Sequence, residues 1–172
     1  MPKLKLVMDK IYAKNNLMAL VEGWKSENQH IVFTNGVFDI LHRGHIEYLA
    51  KSAGYGDKFV VGINSDVSVK GLNKGDNRPL QDELSRALII ASLSFIDAVV
   101  IFNEPTPLAL IADILPNVLI KGGDYDTSIL DFENPKHIVG SEIIKNNGGQ
   151  VEVIQFVEGY STSKIEEKIK RC

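Results

Sequence analysis

The sequence predicts an α/β fold: a doubly wound, Rossmann-like, mostly parallel sheet of about five strands with helices on both faces. Short apolar runs alternate along the chain with segments of helical periodicity, the order that is typical of strand-helix-strand units. Four of the runs are almost continuously apolar, as expected of parallel strands that are covered on both faces. The predicted strands are 31–33, 59–63, 98–102, 118–120 and 151–154.

Helical periodicity fills the segments around these strands. Residues 9–27 repeat apolar side chains at helical spacing and predict an amphipathic N-terminal helix. Residues 64–81 are polar and contain glycine and asparagine, which predicts a mobile loop. The chain is predicted to form one domain overall, with 1–29 as a helical extension packed on a core of 30–172. Further helices are predicted at 44–53, 82–95, 106–115 and 138–147, and from Ser161 onward.

Composition limits the class of protein. The 172 residues carry a net charge of −3, with 44% hydrophobic and 24% charged residues, which is ordinary for a globular protein. This balance argues against nucleic acid as a partner. Neither a signal peptide nor a membrane span is evident, and Cys172 is the only cysteine. We therefore expect a cytoplasmic protein that does not bind membranes.

The densest motif is Thr34-Asn-Gly-Val-Phe-Asp-Ile-Leu-His-Arg-Gly-His45, which leaves a strand, turns at Asn35-Gly36 and enters a helix. Doubly wound sheets bind ligands at the carboxyl ends of their strands, where helix N-termini point their amides. Two other polar, glycine-containing segments fall at predicted strand ends, 121–124 and 158–163. The sequence therefore predicts one binding site on this edge of the sheet.

His42 and His45 are three residues apart, so both rings can face one side of a helix. We expect them at an exposed helix start, with Gly44 allowing a phosphate to approach the backbone. Two imidazoles and free helix amides would form an electropositive donor site, suited to charge that develops on a triphosphate. A pair of metal ligands or two incidental surface histidines are the alternatives, although a structural zinc site needs four ligands.

The pattern Thr-x-Gly-x-Phe-Asp-x-x-His-x-Gly-His resembles the signature of the cytidylyltransferase-like nucleotidyltransferases. Over roughly residues 10–171 the chain is most similar to the adenylyltransferase domain of ADP-heptose synthase, which would make 30–172 a nucleotidyltransferase domain. The further segments that carry this resemblance are Asn64-Ser-Asp66, Asn77-Arg-Pro79, Lys121-Gly-Gly-Asp-Tyr125 and Gly159-Tyr-Ser-Thr162.

This resemblance implies an enzyme that transfers AMP from ATP to a sugar 1-phosphate, D-glycero-β-D-manno-heptose 1-phosphate. The products would be ADP-heptose, for the lipopolysaccharide core, and pyrophosphate. Mg²⁺ would be held mainly by the nucleotide phosphates, with no metal ligand from the protein. A separate sugar kinase would supply the substrate, and the family tendency is a homodimer. A CTP-dependent cytidylyltransferase for glycerol 3-phosphate, or a catalytically silent nucleotide-binding module, are the alternatives.

The resemblance also implies roles for individual residues. His42, His45 and Lys70 would be catalytic, and Asp39, Asp66 and Arg78 would bind the substrate. Asp39 and Asp66 lie at predicted strand ends or just beyond, where either carboxylate could instead help to orient Mg²⁺. The nucleotide would contact Thr34, Asn35, Gly36, Phe38, Gly44, Lys121, Gly122, Asp124, Ser161, Thr162 and Ser163.

Several residues near these motifs have simpler explanations. Ser163 to Glu166 fits a capping box, in which Ser163 would cap the last helix. Arg86 is a candidate cation for the triphosphate, but it could equally pair on the surface with Asp82 or Glu83. His30 and His137 belong to no motif, and we expect no role for either.

Overall fold

A parallel sheet forms the centre of the protein. In the computed structural model, which describes residues 2–72, 78–123, 125–129, 131 and 133–171, the strand order is β1-β4-β3-β2-β5-β6 and each described pairing is parallel. The strands are β1 (Ile11–Tyr12), β2 (Ile31–Gly36), β3 (Lys58–Asn64), β4 (Ala98–Phe102), β5 (Val118–Gly122) and β6 (Gln150–Ile154).

Helices cover both faces of this sheet, which confirms the predicted fold class. Neighbouring residues of one strand point to opposite faces, so Phe33 packs in one apolar cluster and Val32 in the other. The helices are α1 (Lys3–Met8), α2 (Lys14–Ser26), α3 (Arg43–Ala53), α4 (Asp66–Gly71), α5 (Glu83–Ala91), α6 (Leu108–Ile114), α7 (Ser141–Asn146) and α8 (Thr162–Lys170). Side chains of α2, α6 and α7 fill the first cluster, and those of α3 and α5 fill the second.

All five predicted strands are present, and the sixth comes from a segment that was predicted to be helical. The prediction of one helix over 9–27 is wrong, because Ile11 and Tyr12 pair with Val99 and Val100 of β4. Ala13 has an extended backbone and ends this strand before α2 begins. Two residues are too few to show a strand period, and Ile11 fits the apolar stripe of a helix equally well.

The polar segment 64–81 is not a continuous loop. Residues Asp66–Gly71 form α4, and the Ser65 hydroxyl caps this helix by accepting a hydrogen bond from the Ser68 amide at 3.1 Å. Val69 is buried, so α4 is anchored to the domain. The prediction of a loop is therefore wrong over α4, its mobility in the empty protein stays a prediction, and residues 73–77 lie outside the described part of the chain.

The start of α8 also differs from its prediction. Ser161, not Ser163, caps the helix, because its hydroxyl accepts a hydrogen bond from the Lys164 amide at 3.2 Å. The expected capping box with Glu166 is therefore wrong, and the Glu166 carboxylate contacts Arg78 instead. None of the residues of α8 is buried.

Arg86 is the largest fully buried side chain in the described residues, so the predicted surface pair with Asp82 or Glu83 is wrong. Its guanidinium donates to the carbonyl of Val37 at 2.8 Å, the carbonyl of Gln81 at 3.0 Å and the carboxylate of Asp66 at 2.7 Å. Val37 follows β2, Gln81 precedes α5 and Asp66 begins α4, so this one side chain joins three segments of the chain.

Within the described residues, no helix combines the length and the apolar character that crossing a bilayer requires.

Replacing Arg86 with methionine should lower the free energy of unfolding by about 3 kcal/mol, because two buried carbonyls and a carboxylate lose their shared donor. Urea denaturation measures this change. Arg171→Met, at a position whose side chain is 81% exposed, should stay within about 0.5 kcal/mol of the wild type. Equal stability of the two variants would show that the Arg86 contacts contribute little.

Candidate active site

A cavity of about 810 Å³ opens at the carboxyl ends of the central strands. Its wall includes Asn35 and Gly36 from β2, Asn64 from β3, and Lys121 and Gly122 from β5. These ends meet because the strands are parallel, so their polar terminal residues share one edge. The cavity lies where the sequence places the binding site.

The two histidines of the motif meet at the start of α3. His42 is the N-cap residue, with φ −142° and ψ 172°, and His45 lies in the first turn. Their rings stack with centroids 3.9 Å apart and planes at 25°, and the Phe38 ring meets His45 edge-on at 5.5 Å. His45 lines the cavity, and His42, which stacks on it, is not among the residues that line the wall. The predicted shared orientation of the two rings is therefore observed.

Burial sets the charge of this pair. It lowers the pKa of His45 to about 4, with a further contribution from the neighbouring His42, and it also lowers the pKa of His42. The Nδ1 atoms of both rings are shielded from solvent. Both residues are half-buried, so the expectation of an exposed helix start is wrong, and the lowered pKa values favour the neutral form of both imidazoles. A neutral imidazole still has one N–H to donate.

Gly44 makes the close approach of these rings possible. A Cβ at this position would lie 3.1 Å from two atoms of the His42 ring and 3.4 Å from the Cβ of Tyr160. Such contacts are tight enough that the ring would have to move. Gly44 is buried, so a side chain added at this position would disturb the packing of the His42 ring.

Lys121 lies on the floor of the cavity. Its side chain is buried and donates to the Asn35 amide oxygen. Burial lowers the pKa of Lys121 to about 8, so a fraction of the molecules carries a neutral amine at neutral pH. The adjacent Gly122 leaves room for the Phe156 ring, since a Cβ there would lie 2.5 Å from it. Asp124, predicted to contact the nucleotide, lies outside the described residues.

A chain of ion pairs crosses one side of the cavity. Arg78 donates to the carboxylates of Asp39 and Glu166, and all three residues line the cavity. Asp39 also accepts from the amides of Leu80 and Gln81, each at 2.9 Å. Burial disfavours the Asp39 carboxylate, but these hydrogen bonds and Arg78 outweigh it and hold the pKa of Asp39 below its usual value.

Other predicted site residues do not reach the cavity wall. Thr34 is buried and ties β2 to β5, with its hydroxyl donating to the Ile120 carbonyl at 2.9 Å. Asp66 pairs with Arg86, and Lys70 is exposed in the last turn of α4. The predicted site residues that line the cavity are Asn35, Gly36, Phe38, Asp39, His45, Arg78, Lys121, Gly122, Thr162 and Ser163.

The cavity also includes residues that the sequence analysis missed. His137 is buried and lines the cavity together with Asn134, although no role was expected for it. Phe156 packs its ring edge-on against Tyr48, with centroids 5.6 Å apart, and closes the wall beside β5. None of these residues belongs to a glycine-rich or histidine-containing motif, so no spacing in the sequence marks them.

In the described part of the chain, no group of three or more His, Cys, Asp or Glu side chains is placed to hold a metal ion.

The half-buried His45 should make the free energy of unfolding depend on pH between 7 and 5. Its pKa is about 4 in the folded chain against an ordinary value of 6.5, so the unfolded chain takes up the proton first as the pH falls. The free energy of unfolding should therefore drop over this range, and His45→Asn should drop less. His30→Asn, at an exposed histidine, should keep the wild-type slope. An unchanged slope in His45→Asn would contradict the burial argument.

Known proteins resemble this chain in both sequence and fold. "Bifunctional protein HldE" of Geobacter metallireducens is 49% identical over 163 residues, and that of Campylobacter jejuni is 49% identical over 161 residues. These matches cover 95% and 94% of this chain but only 31% and 32% of the relatives, so the chain spans about a third of their length.

Two solved structures share the fold. The lipopolysaccharide core biosynthesis protein of Thermoplasma volcanium superposes with a TM-score of 0.59 at 28% identity, covering 77% of this chain and 99% of that one. A pantoate-beta-alanine ligase of Francisella tularensis gives the same TM-score at 15% identity, covering 93% and 76%, and this likeness concerns the fold alone. Residues 33–168, which include the stacked histidines and the cavity wall, match the family described as Cytidylyltransferase-like, and the chain belongs to that family.

Proposed function

We propose that the chain is an adenylyltransferase that transfers AMP from ATP to a sugar 1-phosphate, D-glycero-β-D-manno-heptose 1-phosphate. The products would be ADP-heptose and pyrophosphate. The observation that carries this proposal is the stacked pair of His42 and His45 at the start of α3, of which His45 lines a cavity that also holds Lys121 and Arg78. The choice of sugar is supported by the motifs shared with ADP-heptose synthases and by the likeness to a lipopolysaccharide core biosynthesis protein.

The reaction needs one displacement at phosphorus. A phosphate oxygen of the sugar 1-phosphate attacks the α-phosphorus of ATP, and the bond from that phosphorus to the bridging oxygen of the β-phosphate breaks. The electron pair leaves with pyrophosphate. No protein nucleophile is required, so the chain contributes orientation and stabilisation of the developing charge.

His42 and His45 would donate hydrogen bonds to the phosphate oxygens at which charge builds. Their pKa values are low in the free protein because the rings are buried, and an adjacent triphosphate would favour the charged form of either ring. The site can therefore strengthen its donors when the nucleotide arrives. Donors held in place before the reaction need little reorganisation, which is the main source of their catalytic effect.

The remaining roles follow from position. Lys121 and Gly122 would contact the nucleoside, and Thr162 and Ser163 would contact phosphate oxygens, since all four line the cavity. Lys70 stays a predicted catalytic residue, although it is exposed on α4 and would have to reach over the rim.

Mg²⁺ would enter bound to the nucleotide phosphates, whose oxygen atoms are the ligands that this cation prefers. When bound, the cation neutralises phosphate charge and helps the pyrophosphate to leave. We also propose that a separate sugar kinase makes the sugar 1-phosphate and that the enzyme is a homodimer.

The second candidate is a CTP-dependent reaction on glycerol 3-phosphate, and the family description, Cytidylyltransferase-like, supports the choice of CTP alone. A pyrophosphate-release assay that crosses ATP, CTP, GTP and UTP with heptose 1-phosphate and glycerol 3-phosphate separates the two. We expect the ATP and heptose 1-phosphate pair to give turnover at least about tenfold above the CTP and glycerol 3-phosphate pair, a difference of one hydrogen bond or more in the transition state. The reverse order would establish the second candidate, and no release with any pair would favour a silent nucleotide-binding module.

Replacing either histidine with alanine should lower kcat by about a hundredfold or more, the effect of losing one preorganised donor. The measurement is steady-state pyrophosphate release, with circular dichroism to show that the variants are folded. His30→Ala is the matched control and should keep wild-type turnover, because His30 is exposed and outside the cavity wall. Full activity of both His42→Ala and His45→Ala would refute the mechanism.

Gly44→Ala tests the position of His42 without removing the ring. The new methyl group would push the ring by a few tenths of an ångström, so kcat should fall by about tenfold while thermal stability stays near that of the wild type. Gly71→Ala is the control, since that glycine is also helical and a Cβ added to it would have no heavy atom within 4 Å. Equal activity of the two variants would mean that the stacking geometry does not matter.

A further inference from the structure

The charges on the described cavity wall nearly cancel. Two cationic side chains, Arg78 and Lys121, face two carboxylates, Asp39 and Glu166. Both substrates of the proposed reaction are anions, and a triphosphate carries several negative charges. Ligands of this kind bind where positive groups exceed negative ones, so the wall as it stands is poorly matched to them.

Arg78 is the group best placed to correct this balance. Lys121 is buried and already donates to Asn35, and its lowered pKa leaves it only partly charged near pH 8. An arginine stays charged in a protein environment and presents donors on two sides of a planar group. In this structure both sides are used, Nη1 by Asp39 and Nη2 by Glu166.

Asp39 is a permanent partner of Arg78. Its side chain is 5% exposed, and two backbone amides hold the carboxylate in addition to the guanidinium. Its backbone carbonyl also accepts from the side chain of Gln81. Removing this carboxylate from Arg78 would break several buried hydrogen bonds at once, which is costly.

Glu166 is held much more weakly. Its side chain is 33% exposed, and it projects from α8, a helix without a buried residue. The carboxylate has no backbone amide among its described hydrogen bonds, which lead to Arg78 alone. The Arg78–Glu166 pair is only partly buried, so water can replace this carboxylate at a smaller cost than it could replace Asp39, whose side chain is 5% exposed. This half of the arrangement can therefore open without disturbing the core.

We propose that the Nη2 side of Arg78 is a binding position for a ligand phosphate, and that the Glu166 carboxylate occupies it until that phosphate displaces it. This inference rests on the proposed function and adds a specific anion position to it. Displacement of Glu166 changes the charged groups on the cavity wall from two cations and two carboxylates to two cations and one carboxylate. It also frees the first turn of α8, with Thr162 and Ser163, to adjust to the bound phosphate.

The phosphate can come from ATP or from the sugar 1-phosphate, and isothermal titration of the full chain with each ligand separates these sources. Glu166→Gln removes the competing charge while keeping the shape, so it should bind one of the two about three- to tenfold more tightly. Glu167→Gln is the matched control. It removes a charge from the same helix at a side chain that is 65% exposed, and it should change either affinity by less than about twofold.

Arg78→Gln should bind that same ligand at least about tenfold more weakly, because a charged donor to phosphate is lost. Thermal unfolding shows whether this variant is folded, and the Glu166→Gln result stands without it.

Equal or weaker binding by Glu166→Gln than by Glu167→Gln, for both ligands, overturns the inference, since a merely structural role for Glu166 predicts that outcome. The proposed function would survive this result if the wild type still releases pyrophosphate. A wild type that neither binds the two ligands nor releases pyrophosphate would end both proposals.

Discussion

The edge of the sheet that carries the cavity depends on the buried guanidinium of Arg86. It donates to Val37 after β2, to Gln81 before α5 and to Asp66 at the start of α4, three segments that share no regular hydrogen-bonding pattern. The series continues through Gln81, whose backbone amide donates to the Asp39 carboxylate. That carboxylate also accepts from Arg78. A continuous series of charged hydrogen bonds thus leads from a fully buried side chain to the cavity wall. Loops that would otherwise move independently are held in one arrangement, which is what a preorganised site requires.

The stacked histidines show why burial and catalysis are compatible in this site. Two protonated rings at 3.9 Å would repel each other strongly, and burial removes the solvent that could screen them. Neutral rings avoid this cost, and the pair can stack closely because Gly44 leaves space beside His42. The pair is therefore a hydrogen-bonding surface in the free protein, and its charge responds to the ligand. A pair of exposed, permanently charged histidines would have been screened by water and by salt.

Much of this arrangement could be predicted from the sequence, and the failures have physical reasons. Parallel strands leave long apolar runs, so the five central strands were predicted, whereas the two residues of β1 carry no period. The histidine motif located the site because its spacing is local. The ion pairs of Arg78 with Asp39 and Glu166 join residues 39 and 88 positions apart, and no local pattern encodes such contacts. Arg86 was misplaced because a charged residue is expected on the surface unless its partners, distant in sequence, are known.

The short strand β1 has a consequence for how the protein behaves in solution. Without it, β4 would be the edge of the sheet, and its sequence, Ala-Val-Val-Ile-Phe, is wholly apolar. An exposed edge of that kind invites pairing with the same strand of another molecule. The Ile11–Tyr12 strand occupies this edge, and the carbonyl of Lys10 accepts from the amide of Val99 at 2.8 Å. Being only two residues long, β1 itself offers few free backbone groups to a neighbour. The strand before α2 therefore protects the apolar edge of β4 from pairing with another molecule. This effect on aggregation is separate from the chemistry of the cavity.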